Sequence, residues 1–482
     1  MVDTGPREAP RLISRSSTLG RLTLATVTLG SGVAILDGTV VNIAVRHIGV
    51  DLHASMADLQ WVVNGYLLSL ASLILVGGAL GDRLGRKRMY LLGVGGFALA
   101  SLLCATAQTP GQLVGFRVVQ GVAAALLTPG GLALIQGTFR REDRAGAIGT
   151  WAGLSGVAAA MGPFAGGFLI EHGGWRWIFA INLPLCVLVL VLGTRMPESR
   201  DEEGSGGRFD VGGAAVGVVL LALTTYLLTS WRDLPGSWLA LGAALCVLAL
   251  VVFLRLEARP HAMIPLELFS SRVFSAANLM TFLVYGALGG VVFFLVLQLQ
   301  VSSGYTALEA GIASLPITLA LLLLSSRLSR MAAKTGPRLP MTVGPLLCAA
   351  GTFWMAHVGR DVSYWADVLP GMVVFALGLA GLVSPLTTAV LAAAPDRHAG
   401  VASGINNAVA RAGSLLAIAA LPAAVGLVGA DYQDPEALTT AYRHAQVICA
   451  VLLAAGGIVS WFGLRGTGPG WTSGTPDGED PA

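Results

Sequence analysis

Fourteen apolar runs set the limits on this 482-residue chain: roughly 22–45, 59–80, 89–107, 111–136, 146–170, 177–194, 211–230, 238–254, 274–301, 309–326, 340–358, 366–393, 400–428 and 442–464. Crossing a bilayer takes about 20 residues of helix. Lipid offers backbone groups no hydrogen-bond partner, so each run must close its own bonds. Charged residues are only 12% of the chain, where a soluble domain averages about 25%. The fold class is therefore all-α and polytopic, with the lipid bilayer as its solvent. The net charge of +3 is no nucleic-acid signature, because the basic residues lie in short loops. Cys104, Cys186, Cys246, Cys348 and Cys449 all fall within apolar runs, with no metal-binding spacing and no disulfide framework. The first run is too long for a signal-peptide core and is expected to remain as the first span.

Orientation follows from Lys and Arg. With the N-terminus inside, 23 of the 30 basic residues fall in inner segments and five in outer ones. Arg117 and Arg411 fall within runs. This asymmetry places both termini inside and requires an even number of spans. Ser55–Asp58 and Thr306–Glu309 read as capping boxes opening spans two and ten. Each of those spans is followed by a pair of arginines, Arg83 and Arg86 or Arg327 and Arg330. An offset of eight spans fits a six-span unit repeated, with two extra spans inserted. The expected division is an inner tail 1–21, a six-helix bundle 22–196 and a polar linker 197–210. An extra helix pair 211–256, a second six-helix bundle 257–464 and a disordered tail 465–482 complete it.

Asp37 is the only acid deep inside an apolar run. A carboxylate there costs several kcal/mol unless it is neutralised, paired or hydrated, so an intramembrane Asp reads as functional. The structural alternative is an Asp hydrogen-bonded to a neighbouring helix through Thr39 or Asn42. Arg117 likewise needs a partner or a water cavity; it is assigned as the electrostatic neighbour of Asp37, with snorkelling to a membrane surface as the alternative. The outer loop 46–58 holds His47, Asp51, His53 and Asp58, which reads as a solvated loop; no metal site is assigned. In the inner loop after span two, Gly78, Asp82, Arg83, Gly85, Arg86, Lys87 and Arg88 form a dense motif. Its glycines permit a tight turn. Asp82 can pair with a nearby Arg or sit at the positive N-terminal end of another helix, and such a contact can hold one conformation and release in another.

This loop resembles the signature of the major facilitator superfamily, and the resemblance covers essentially the whole chain. It implies a major facilitator fold of two six-helix bundles plus two extra helices, 14 transmembrane helices in all. It also implies a cytoplasmic latch between the halves, formed by Asp82, Arg83 and Arg86 around Gly85. The stretch around Arg117 is similar to the family's span-four motif, where the Arg is linked to proton transfer. In span five, Gly149 and Gly153, and Gly162 and Gly166, are four apart, a spacing that lets helices touch backbone to backbone; Pro163 permits a kink. Gly162, Pro163, Gly166 and Gly167 resemble the motif that marks antiporters in the superfamily. The segments Trp175–Pro184, Leu36–Asn42 and Gln60–Tyr66 resemble the fourteen-span drug:proton antiporter branch, as do Gly304–Gly311 and Gly400–Arg411.

The resulting expectation is a proton-coupled antiporter, not an enzyme, exporting hydrophobic drugs or antibiotics across the plasma membrane by alternating access. No cofactor is needed beyond the proton as coupling ion. Its partners are the lipid bilayer, a small hydrophobic substrate and protons, and the chain works as a monomer. Asn42, Trp61, Asn64, Tyr66, Gln298 and Gln300 are the substrate-cavity candidates. A dedicated exporter of one metabolite, siderophore or lipid precursor would use the same motifs. A non-transporting sensor or scaffold with this fold is the third reading, and charges within spans argue against it. No P-loop is present to support ATP-driven export.

Overall fold

The computed structural model describes residues 12–199, 210–259, 264–395 and 399–467. Residues 1–11 of the inner tail, 200–209 of the linker and 468–482 of the expected disordered tail lie outside the described residues. The described residues are almost entirely helical. The first elements are α1 (Thr18–Asp51), α2 (Met56–Leu84), α3 (Arg86–Ala105), α4 (Pro110–Thr138) and α5 (Arg141–Gly173). After them come the short α6 (Trp177–Ala180) and α7 (Asn182–Gly193), then α8 (Val211–Ser230) and α9 (Gly236–Glu257). The rest are α10 (Arg272–Val301), α11 (Ala307–Ala313), α12 (Leu315–Thr335), α13 (Arg338–Met355), α14 (Leu369–Ala392), α15 (Ala399–Ala424) and α16 (Pro435–Gly463).

Twelve helical stretches among the described residues are long and apolar enough to cross a membrane. Two of the fourteen expected spans fall short. Residues 177–193 are divided at Ile181 into α6 and α7, and α13 is an 18-residue helix carrying Arg338 and Pro345. The local signals act where the residues put them. The Ser55 and Thr306 capping boxes open α2 and α11, and Pro110 occupies the first position of α4 behind a Thr109 cap. Gly85, at φ 109°, ends α2 and starts α3 in a single residue.

The helices α1–α5 and α7 pack around one apolar cluster centred on Leu70, Tyr90, Phe97 and Leu127. A larger cluster runs through α10–α16 and takes in the ends of α1 and α2. Glycines let the key helices approach: a Cβ on Gly121 would meet the Tyr66 carbonyl and the Ser69 side chain, which brings α4 hard against α2. Helices α8 and α9 pack on each other, and α8 leans on α2 and α15.

A seam joins the two groups of helices at one end of the molecule. There Gln60 Nε2 donates to the carbonyls of Ile418 and Ala419 at 2.7 and 2.9 Å, and the Met56 N–H donates to the Gly429 carbonyl at 2.7 Å. Tyr432 Oη donates to the Ala54 carbonyl at 2.9 Å. Arg46 donates to the Gln300 carbonyl, and Gln300 Nε2 donates to the Ile43 carbonyl at 2.9 Å. At the other end the groups part around a cavity of about 1290 Å³.

Candidate functional site

The cavity is lined by α1, α2, α4 and α5 on one side and by α10, α14 and α15 on the other. It reaches from Arg117 and Tyr66 down to Asp82, Arg83 and Arg86. The Asp82 side chain is 41% exposed, so the cavity opens at that end while the seam closes the other.

Beside the closed end sits a buried polar cluster. Asp37, on α1, and Arg117, on α4, are each 1% exposed. Arg117 Nη1 lies 2.6 Å from Asp37 Oδ2. The second carboxylate oxygen accepts from Gln120 Nε2 at 2.9 Å and from Asn182 Nδ2 at 3.0 Å. Gln120 Oε1 in turn accepts from Arg117 Nη1 at 2.6 Å, and both amides donate to Ser101 Oγ. Arg117 Nε donates to the Val62 carbonyl at 3.1 Å, and its guanidinium lies 4.4 Å from the Tyr66 ring centroid. Arg117 faces the cavity; the carboxylate stands behind it. A buried charge pair is tolerable only when its other polar atoms also find partners; Gln120, Asn182 and the Val62 carbonyl supply them here, and Ser101 holds the two amides.

Gln120, Asn182 and Ser101 have no assigned role in the sequence analysis, although Gln120 falls in the stretch around Arg117 and Asn182 in the segment Trp175–Pro184. A role for Gln120 was within reach, since Arg117 and Gln120 are three apart on one helix and share a face. Asn182 is a polar residue opening α7. Ser101 carries no distinguishing signal. Thr39 and Asn42 do not serve Asp37: Thr39 Oγ1 donates to the Leu36 carbonyl at 2.8 Å and Asn42 Nδ2 to the Gly38 carbonyl at 3.4 Å.

Of the cavity candidates, Asn42 and Tyr66 line the space, whereas Trp61, Asn64, Gln298 and Gln300 do not. Asn64 is fully buried, without a hydrogen-bond partner among the described residues. Gln298 Nε2 donates to Thr439 Oγ1 at 3.0 Å, and Gln300 belongs to the seam. Amides in a span are as useful for tying helices together as for facing a ligand, and residue type alone does not report the side.

On α5 the glycines divide. A Cβ on Gly162 would run into Thr39, one on Gly166 would meet Val40 Cγ1 at 3.0 Å, and one on Gly167 would meet Leu308 Cα at 2.5 Å. The Pro163 carbonyl is held against Gly311. Gly149 and Gly153 have open space where a side chain would go, so the close backbone approach expected at that pair is absent here.

In the inner loop, Asp82 Oδ1 accepts from Arg86 Nε at 2.8 Å. Arg86 N–H donates to the Ser199 carbonyl, and Lys87 Nζ reaches the carbonyls of Thr194 and Met196 at 2.9 and 2.6 Å. A Cβ on Gly85 would press on the Glu198 carboxylate at 2.8 Å. The motif is thus tied to the chain leaving α7. Asp51, in the outer loop reading, pairs with Arg176 at 2.7 Å and accepts from Trp175 Nε1 at 2.9 Å.

A polar, charge-paired cluster flanking a cavity between two helix groups is the architecture of a membrane transporter. The chain belongs to the Major Facilitator Superfamily, whose profile matches residues 27–418, and it is a multi-pass membrane protein. It is 35% identical over 411 residues to the tetracenomycin C resistance and export protein of Streptomyces glaucescens, covering 83% of this chain and 74% of that protein. It is 33% identical to the methylenomycin A resistance protein of Bacillus subtilis (strain 168), covering 91% of this chain and 96% of that one. Among solved structures, a POT family transporter in complex with 5-aminolevulinic acid superposes with a TM-score of 0.69 at 12% identity, covering 93% of this chain and 97% of that one, a likeness of fold.

Proposed function

We propose that this protein exports hydrophobic, drug-like compounds across the plasma membrane in exchange for protons, by alternating access. The observation that carries the reading is the Asp37–Arg117 pair set beside the cavity. Ligand pockets usually span about 300–1,000 Å³, so a cavity of about 1290 Å³ admits a drug-sized molecule with room to vary. The resistance and export proteins of Streptomyces and Bacillus among the relatives support the same cargo class. Two six-helix bundles, 22–196 and 257–464, with the α8–α9 pair between them, give fourteen spans with α6–α7 and α13 counted. Both termini are then cytoplasmic, and the cavity opens inward.

Asp37 is the coupling acid in this reading. It takes a proton when the closed end opens and releases it when the cavity faces inward, with Arg117 as its alternating partner. One proton moving inward through ~150 mV supplies roughly 3.5 kcal/mol, at ~2.3 kcal/mol per 100 mV. At about 1.36 kcal/mol per tenfold, that sustains a gradient of a few hundredfold for a neutral substrate. The latch role falls to Asp82, Arg83 and Arg86.

The test is vesicle pH change on substrate addition, with substrate accumulation followed in parallel. Asp37→Asn abolishes substrate-driven proton release, and Asp37→Glu retains part of it. If Asp37→Asn still builds a gradient that an uncoupler collapses, the coupling acid lies elsewhere.

A further inference from the structure

Arg411 is, besides Arg117, the basic residue that falls within one of the apolar runs of the sequence, and nothing above gives it a role. It lies twelve residues into the 26-residue α15, about 18 Å along its axis and so near mid-depth. Its side chain lines both the large cavity and a smaller adjoining pocket of about 200 Å³. Its situation is the reverse of Arg117. Arg117 is sealed from solvent with a carboxylate at 2.6 Å. Arg411 is half-buried, and among the described residues no carboxylate lies within ion-pair distance of it.

The acids of the cavity wall are elsewhere. Asp37 stands behind Arg117 and is spent on it. Asp82 lies sixteen residues along α2 from Tyr66, about 24 Å, and is held by Arg86. Asp210 caps α8, accepting from the Gly213 N–H at 2.8 Å. The deep part of the cavity therefore carries one uncompensated positive charge. The neighbouring donors are mostly used: Ser414 Oγ donates to the Tyr285 carbonyl at 2.8 Å, and Asn407 Nδ2 to the Ser403 carbonyl at 3.2 Å. The guanidinium and the Tyr285 hydroxyl, which has no hydrogen-bond partner among the described residues, are left facing the space.

An intramembrane charge is retained where a counter-charge or water meets it. A guanidinium offers planar paired donors that fit a carboxylate in bidentate fashion. We propose that Arg411, with the Tyr285 hydroxyl, is the subsite for an anionic group on the cargo, a carboxylate or ionised phenol, whose hydrophobic body fills the apolar remainder of the cavity. This rests on the export reading and narrows its cargo to hydrophobic organic acids over cations. Tyr66, whose ring lies 4.4 Å from the Arg117 guanidinium, lines the same cavity as Arg411.

The test compares 1-pyrenebutyrate with its methyl ester, and both with ethidium, by fluorescence binding to the detergent-purified full-length protein. Wild type binds the acid at least tenfold more tightly than the ester, and ethidium more weakly than either. Arg411→Gln removes that preference while leaving ester affinity within about twofold, and Arg411→Lys restores most of it. The acid-to-ester ratio is read within each variant, so a fall in yield does not mimic the effect. An acid bound no better than the ester by wild type overturns the proposal, as does an unchanged preference in Arg411→Gln. Proton-driven efflux of any of the three probes, measured separately in vesicles, decides the export reading independently of this result.

Discussion

At the scale of single residues, the Asp37–Arg117 pair is unequal in its two ends. The guanidinium borders the cavity and stacks under Tyr66, whereas the carboxylate has only protein around it. Removing one partner of a buried pair costs about 3–5 kcal/mol when the survivor stays buried and uncompensated. Arg117→Met leaves the Asp37 carboxylate with two amide donors and no counter-charge, so it carries that full cost. Asp37→Asn leaves a guanidinium that keeps the Val62 carbonyl, Gln120 Oε1 and the face of the Tyr66 ring as partners, and costs less. Melting temperatures of the purified variants should therefore fall further for Arg117→Met than for Asp37→Asn, with the Asp37→Leu/Arg117→Met double variant recovering part of the loss. Equal losses for the two single variants would mean the asymmetry has no energetic content. Both charges were legible in the sequence because a charge inside an apolar run is an anomaly. Gln120, Asn182 and Ser101 were not, because neutral polar residues in spans also serve ordinary packing, and only the meeting of α1, α3, α4 and α7 shows which ones converge.

Whole helices were the easiest features to read, since hydrophobic length reports a span directly, and capping chemistry at Ser55 and Thr306 marked where two of them begin. Faces were harder. The glycines of α5 look alike in sequence, yet Gly162 is pressed against Thr39 of α1 while Gly153 looks into open space. The four-residue spacing supplies small residues on one face but does not say which pair meets a neighbour. Gly162→Leu must then push α5 off α1, beside the stretch that carries Asp37, while Gly153→Leu meets nothing in this conformation. The expected outcome is a loss of most transport activity for Gly162→Leu, with Gly162→Ala impaired less, and near-normal activity for Gly153→Leu. Vesicle transport normalised to inserted protein measures this. Comparable loss at both glycines would show that Gly153 makes its close contact in another conformation of the cycle.

At the scale of the molecule, one end is held shut by a few directed hydrogen bonds and the other lies open, and the balance between them sets which side the cavity faces. Proline has no N–H, so Pro422 leaves the Ile418 carbonyl of α15 without its helical donor. Gln60 of α2 supplies that donor across the seam at 2.7 Å, and also reaches the Ala419 carbonyl at 2.9 Å. The bond is therefore both a tie between the two helix groups and the satisfaction of a buried acceptor. Losing such a partner costs about 1–3 kcal/mol. The cost falls on the state in which the seam is closed, because opening would let water reach the carbonyl. Gln60→Leu should thus shift the population toward the state open at this end, by roughly fivefold to a hundredfold at about 1.4 kcal/mol per tenfold. Spin labels at Val50 and Val428, both exposed at this end, would report the change as growth of a longer-distance component. The native cysteines hardly interfere, since four are buried and Cys246 can be replaced by Ala. Gln300→Leu, which removes the bond to the Ile43 carbonyl, should act in the same direction. A distance distribution unchanged in both variants would show that apolar packing at the seam, rather than these hydrogen bonds, keeps this end closed.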